Sequence, residues 1–530
     1  MFQELTLENF KAFKEEVQIK LAPITLLYGE NSAGKSSILQ ALSMLKQGRE
    51  KRGSPVLSPK GEYVDLGPFK NFVFGHDASR KVKIGLSVTP REQGLPVSLE
   101  ISAAVMEFER SKDGEIGLPS FLVAAGTSIN DWAATFVAAE EKSSEQSSRP
   151  MFRYRADRIN RSHVAFHYCY DEFIRQKKFI VKALGDSRVT SRITWGETPA
   201  KTKRDFTNAI KFYSKEKISR PDFQRRIERF NSRTEVAFDG FEGFIPTRPP
   251  GGPLAHLAGR FNPSATLPEI FAINNTLSAI DKFEAVDGSG YPGGPPVLSE
   301  MVRLIRSDIA YTLNLLTPIG PYRRRPDRIY QDQGISPYEV GYAGENTPDI
   351  LLRNPRLIKH VNTWLRRLDT GYQIVVPKKT VDTEVYQLLL RDTRHGGKQK
   401  LLTSLADVGF GFSQVIPLIL EACSRENMVL SIEQPELHLH PKLQADIGDL
   451  IIDGFVDRKH QFLVETHSEH LCLRLLRRIR EGVIKPEDVS ILYVSRGANG
   501  SMVHELRVDE DGEFIDSWPG GFFPERLNEL

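Results

Sequence analysis

Residues Gly29 to Ser36, GENSAGKS, fit the pattern GxxxxGK[ST] at every position. An apolar run, Ile24 to Tyr28, precedes them, and Ile38, Leu39, Leu42 and Leu45 follow at helical spacing. A strand, a glycine turn and a helix in that order make a cradle for phosphate oxygens. Gly29 and Gly34 let the backbone turn so that its N–H groups converge on the anion, with the helix N-terminus behind them. Lys35 adds a point charge at the β and γ phosphates, and the Ser36 hydroxyl is placed to ligate Mg²⁺. The expected nucleotide contacts are Gly29, Glu30, Asn31, Ser32, Ala33, Gly34, Lys35, Ser36 and Ser37, with MgATP as the cofactor.

A second cluster lies far along the chain. MVLSIEQPE (428 to 436) is an apolar strand that ends in acids. A carboxylate at the carboxyl edge of a sheet, beside a phosphate loop, can hold Mg²⁺ or its water shell. Glu433 is the first acid and the natural metal-side residue. QFLVETHSEHL follows, another apolar strand running into Thr466, His467 and Ser468. A histidine at that strand tip can reach the γ phosphate, although His467 standing alone reads as a surface histidine. His438 and His440 between the two strands point apart on an extended or turning segment, and no further Cys or His completes a zinc set. Upstream, DVGFGFSQVIPLILEAC joins a turn bearing Gly409 and Gly411 to an apolar helix. A glycine turn at a helix N-terminus is again an anion cradle; the plainer reading is a helix cap.

These sites need elements to hold them. LTLENF alternates apolar and polar residues, VQIKL is a short strand, and KVKIGLSV with VSLEISAAVMEF predict two adjacent antiparallel strands. From 108 to 297 the pattern weakens: EKSSEQSSRP, RPPGGP and GSGYPGGPP read as irregular connections. Periodic structure returns after about residue 298. Sites at both ends around a poorly patterned middle predict one nucleotide domain split by an insertion. The 530 residues leave room for several domains, and a net charge of +3 identifies no partner. Within it, residues 177 to 233 hold 16 Lys and Arg against 6 Asp and Glu, with aromatics interleaved. Such a segment suits nucleic-acid phosphates or a solvated helical face. The cysteines Cys169, Cys423 and Cys472 form no disulfide framework, the charged amino terminus is no signal peptide, and no run reaches the roughly 18 to 20 apolar residues of a membrane helix. A cytoplasmic protein, not embedded in a membrane, is expected.

The four pieces GENSAGKS, VGFGFSQ, LSIEQPELHLHP and VETHSEHL, in this order, resemble the ABC-type ATPases of the SMC/RecF/OLD group. The nearer resemblance is to stand-alone prokaryotic AAA-family ATPases with a split head, many associated with anti-phage defence. The tail DEDGEFIDSWPGGFFPERLNEL is similar to the carboxy-terminal domain of unknown function that closes many of them, and YVDLGPFKNFVFG and IGPYRRRPDRIY also resemble that group.

The resemblance implies an α/β P-loop NTPase of ABC/SMC type: a mixed-sheet head with an antiparallel lobe and a mainly helical insertion. Its divisions are 1 to 107, the first half of the head; 108 to 297, a basic and helical insertion; 298 to 485, the second half; and 486 to 530, an extension. It implies that ATP lies between two subunits of a homodimer or larger homo-oligomer. Residues 29 to 36, Glu433 and His467 form one half-site, and Gly409, Gly411 and Ser413 of the other copy complete it. A γ phosphate needs donors on both sides, and one subunit supplies one side.

Two departures stand out. The glycine turn is not LSGGQ; its serine position is Gly409, leaving Ser413 as the candidate replacement. The position after the metal acid, where such ATPases carry a catalytic glutamate, is Gln434. An amide can orient a water but cannot take its proton. Glu436, two residues on, is the candidate base; otherwise turnover is expected to be slow.

The expected function is an ATP-dependent switch for an effector in trans, such as a nuclease or toxin. Residues after His467 hold no separable Glu and DxD set for a nuclease in this chain. Arg323, Arg324, Arg325 and Arg328 are expected to be structural or near the nucleotide. The alternatives are a repair or recombination ATPase binding DNA directly and, remotely, a transporter subunit. Transporter ATPases place loop and signature much closer than the 374 positions between Lys35 and Gly409.

Overall fold

The computed structural model describes residues 1–50, 57–91, 101–110, 116–126, 132–138, 151–159, 235–237, 296–332, 334–376, 384–394, 401–409 and 411–519. They divide into two compact units: 1–47, 58–82 and 311–530 in one, 48–57 and 83–310 in the other. Against the divisions expected from sequence, 48–57, 83–107 and 298–310 fall in the second unit, and 486–530 fall in the first.

The first unit is built on a six-stranded sheet. Its spatial order is Leu316–Ile319, Val429–Glu433, Gln461–Glu465, Ile24–Gly29, Val489–Gly497 and Gly500–Leu506. The first five strands are mutually parallel, and the last returns antiparallel from its neighbour. Strands buried on both faces read as continuous apolar runs, not alternations. Ile24–Tyr28 and Val429–Ile432 are accordingly buried at every residue. The strand from the carboxy-terminal acid–histidine segment thus lies between the loop strand and the strand carrying Glu433.

Helices flank this sheet. Gly411–Ser424 is buried from Ser413 to Cys423, which explains its lack of a polar face. His440 caps Pro441–Arg458, its Nδ1 accepting from the Lys442 N–H at 3.3 Å. Ser468 caps Glu469–Arg480, its hydroxyl accepting from the Leu471 N–H at 3.2 Å. The amino-terminal strand is longer than LTLENF suggests. It spans Phe2–Glu8 and stops where Asn9 turns left-handed at φ 52°. Buried Gln461 fastens it, accepting from the Phe2 N–H at 2.8 Å and donating to the Phe2 carbonyl at 2.7 Å. Val17–Lys20 pairs antiparallel with it.

In the second unit, Ile101–Arg110, Ile116–Gly126, Trp132–Ala138, Met151–Ile159 and Glu235–Ala237 form a continuous antiparallel ladder. The helix Pro296–Leu315 follows it in sequence, and its buried Asp308 accepts from the Ser102 hydroxyl at 2.9 Å. Between 108 and 295 the described elements are strands; the expected helices, and the basic segment 177–233, lie outside the described residues.

Candidate nucleotide site

The phosphate loop leaves its strand at Gly29, φ 136°, where a Cβ would stand 2.0 Å from the Val494 carbonyl oxygen. Gly34, φ 108°, has Ala12 Cβ 2.8 Å from where its own Cβ would be. Both positions require glycine for conformation and for space. The helix begins at Lys35, so its first N–H groups, which have no intrahelical acceptor, open onto the loop. Lys35 is buried, and its Nζ donates to the carbonyls of Gly29 at 2.9 Å and Glu30 at 2.8 Å. Burial lowers its pKa, while Glu465, Glu436 and Glu30 pull it back up.

Opposite the loop stand the carboxyl ends of two strands. Glu433 lies in register with Glu465, and Glu465 with Leu27 of the loop strand. Glu433 Oε1 accepts from the Tyr342 hydroxyl at 3.0 Å. Its pKa is pushed up to about 7, first by burial and then by the neighbouring Glu465 charge. Glu465 is buried, hydrogen-bonds the Ser36 hydroxyl, and leaves Oε2 without a partner. Burial raises its pKa, against the pull of Ser36 and Lys35.

The turn after Glu433 is held by backbone. Gln434 is left-handed at φ 46° and donates its N–H to the Glu465 carbonyl at 2.7 Å. Buried Arg323 caps the same turn, donating to the carbonyls of Glu433 at 3.0 Å and Gln434 at 3.1 Å. Burial takes the Arg323 pKa down to about 10, opposed by Glu436 and Glu433. Arg324 and Arg328 instead form exposed ion pairs with Asp327 and Asp407.

Glu436, the candidate base from sequence, has both carboxylate oxygens occupied. One accepts from the Thr466 hydroxyl at 2.8 Å, the other from the His467 N–H at 2.7 Å. It therefore fastens the histidine turn. His467 keeps an exposed edge, and partial desolvation of its ring, then the Lys35 charge, lowers its pKa, which favours the neutral ring. The turn is further fixed by Ser468, whose hydroxyl donates to Gln444 at 2.7 Å and whose carbonyl accepts from Tyr28 at 2.8 Å.

One cavity of about 670 Å³ gathers Asn31, Ser32, Gly34, Lys35, Ser36 and Ser37 against Gln434, Glu465 and His467. Glu433 and Glu436 do not line it. Lys11, Asn71 and His76 do, and none was expected from sequence. Lys11 donates to Gln40 at 2.5 Å, and burial lowers its pKa in spite of the Glu433 charge. Glu465 is the more important omission. Its signal was present, an acid ending the apolar run QFLVE, but its pairing with Glu433 follows from strand register alone.

The glycine turn is not part of this cavity. Gly409 is exposed with open space where a Cβ would stand, and Gly411 packs near the His438 carbonyl. Ser413 is buried, accepts from the Gln414 side chain at 3.3 Å, and lines a separate cavity of about 500 Å³ with Arg324 and Arg325. Gln414 also donates to the Arg323 carbonyl at 3.4 Å, which joins the helix after the glycine turn to the turn that Arg323 caps.

The donor set fits the expected cofactor. The glycines leave room for phosphate against backbone, Lys35 already holds two oxygen acceptors, and the unpartnered Glu465 oxygen sits beside the Ser36 hydroxyl as a hard-cation ligand would.

A parallel sheet with a phosphate loop on one strand and an acid-tipped strand two places away is the arrangement of a P-loop NTPase. Residues 1–151 and 354–472 match the AAA ATPase domain family, and the chain belongs to it. Residues 484–530 match a protein family of unknown function, DUF3696. No curated protein matches the sequence. Similar solved structures include an Smc head domain with an extended coiled coil, bound to the C-terminal domain of ScpA, from Pyrococcus furiosus. It is 10% identical, with 96% of each chain covered and a TM-score of 0.38. The SMC head domain from Thermotoga maritima is 11% identical, covering 96% of this chain and 99% of that one, with a TM-score of 0.34. No helix among the described residues is long and apolar enough to cross a membrane.

Proposed function

We propose that this AAA ATPase binds MgATP in the cavity between Lys35 and Glu465, hydrolyses it slowly, and uses the bound state as a switch. The observation that carries this is the convergence of Lys35, Ser36, Gln434, Glu465 and His467 on one space. Lys35 would exchange its two loop carbonyls for phosphate oxygens. Ser36 and Glu465 would hold Mg²⁺, which supplies charge neutralisation to the β and γ phosphates, and Glu433, in register beside Glu465, would join them only by turning from Tyr342. Neutral His467 would donate to the γ phosphate from the strand tip.

Slow turnover is supported by the residue facing that phosphate. Gln434 can orient a water and cannot take its proton, and Glu436 is committed to Thr466 and His467. Glu436 then acts as a positioning residue for His467. Exposed Gly409 at the head of a buried helix is the surface we assign to a second copy across the nucleotide. The buried Ser413 hydroxyl would reach it only after rearrangement. An effector in trans and a setting in anti-phage defence rest on the motif resemblance, and a cytoplasmic location rests on the few, scattered cysteines and the lack of a long apolar run.

Equilibrium titration with ATP and Mg²⁺ tests the site. Lys35→Ala should weaken ATP binding at least about 100-fold, because it removes charge-assisted bonds to two phosphates. Unaltered affinity would sink the reading. Phosphate-release assays test the slow step: Gln434→Glu should raise turnover about tenfold or more by restoring a proton acceptor.

A further inference from the structure

The family segment of unknown function does not stand apart from the nucleotide site. Its first strand runs parallel to the loop strand, pairing Val489 with Ile24 through to Val494 with Gly29. Its second strand begins at Gly500, and there buried Ser501 makes two bonds. Its N–H donates to the Ala12 carbonyl at 2.8 Å. Its hydroxyl donates to the Ala33 carbonyl, inside the phosphate loop, at 2.5 Å. Further along, Trp518 packs edge-on against Tyr28, the last residue before the loop, with ring centres 5.4 Å apart.

The Ala33 bond matters because of peptide geometry. In a trans peptide the carbonyl of one residue and the N–H of the next point in opposite directions. A phosphate loop works only if its N–H groups face the anion, so its carbonyls must find partners elsewhere. The Ser501 hydroxyl is that partner for Ala33. Holding this oxygen away from the cavity turns the Gly34 N–H into it, and Gly34 does line the cavity. Gly34, at φ 108°, has a backbone that needs such a restraint.

We propose that Ser501 is a positioning residue for the phosphate loop, so that the segment of unknown function sets the affinity for nucleotide. This rests on the MgATP reading above and adds to it a residue far from the loop in sequence. It assigns the segment the task of a loop buttress within the ATPase sheet.

The test uses the full chain and equilibrium ATP titration with Mg²⁺. Ser501→Ala should raise the Kd about fivefold, the worth of one neutral hydrogen bond. Ser501→Thr, which keeps the hydroxyl, should bind within about twofold of wild type, whereas its isostere Ser501→Val should bind as weakly as the alanine variant. The Thr and Val pair decides the matter even where alanine lowers the melting temperature. Equal affinities for Thr and Val overturn the proposal. Lys35→Ala, measured alongside, keeps the two readings apart. Its loss of binding with an unaltered Ser501→Val sinks the buttress alone, and its unaltered binding sinks the nucleotide site.

Discussion

On the loop wall of the cavity the chemistry is carried by backbone, and its lysine, Lys35, has carbonyl acceptors of its own at 2.8 and 2.9 Å. On the acidic wall it is carried by side chains: Glu465 faces the cavity with Glu433 in register behind it on the neighbouring strand, both buried enough to raise their pKa. The loop wall is locally self-satisfied. The acidic wall is not, since Glu465 keeps an unpartnered oxygen and Arg323 must cap the turn from a distant segment. Buried like charges cost stability until a cation joins them. One wall is therefore ready for ligand at little expense, and the other is held in place by the rest of the protein.

That contrast sets an order of effects in nucleotide-free protein. Arg323→Ala should be the most damaging, at about 3 kcal/mol in urea unfolding, because it strips two carbonyls of a buried partner. A loss below about 1 kcal/mol would mean the acidic turn holds itself.

Next is pH. The folded-state pKa of Glu433, about 7, lies above its unfolded value. Folded protein therefore binds the proton more tightly, and stability should fall as pH rises from about 4.5 to 7, by about 2 kcal/mol. Glu433→Gln should flatten that part of the profile, and Mg²⁺ with ATP should offset it above pH 7. An unchanged slope in the variant would break the account of the pair. Smallest is Lys35→Ala, which should shift unfolding by less than about 1 kcal/mol, since the Gly29 and Glu30 carbonyls can turn to water. A larger shift would place the lysine in the fold and not the function.

The same contrast explains what could be read in advance. The loop is contiguous, so residues 29 to 36 announce strand, turn and helix together. The acidic wall is assembled from Arg323, Tyr342, the 433–436 turn and the 465–468 turn. No local pattern says that Gln461–Glu465 inserts between the other two strands. Glu465 and Arg323 were consequently visible as residues without a partner. Glu436 reads as a base because sequence shows its type and not its bonds to Thr466 and His467. The ladder strands beyond VSLEISAAVMEF, from 116 to 159, are hidden for another reason. Stretches such as IGLPSFLVAAG lack the two-residue alternation that marks a half-buried strand.

The neighbours of the Ile24–Gly29 strand have a consequence for biosynthesis. It lies between Gln461–Glu465 and Val489–Gly497, both made more than 400 residues later. During translation that apolar strand must wait, unpaired on both edges, until residues 461 to 497 have left the ribosome. Closing so long a loop is slow, and an open apolar edge invites aggregation. Newborn chains should therefore depend on chaperones through most of elongation, and truncation before residue 489 should leave insoluble product.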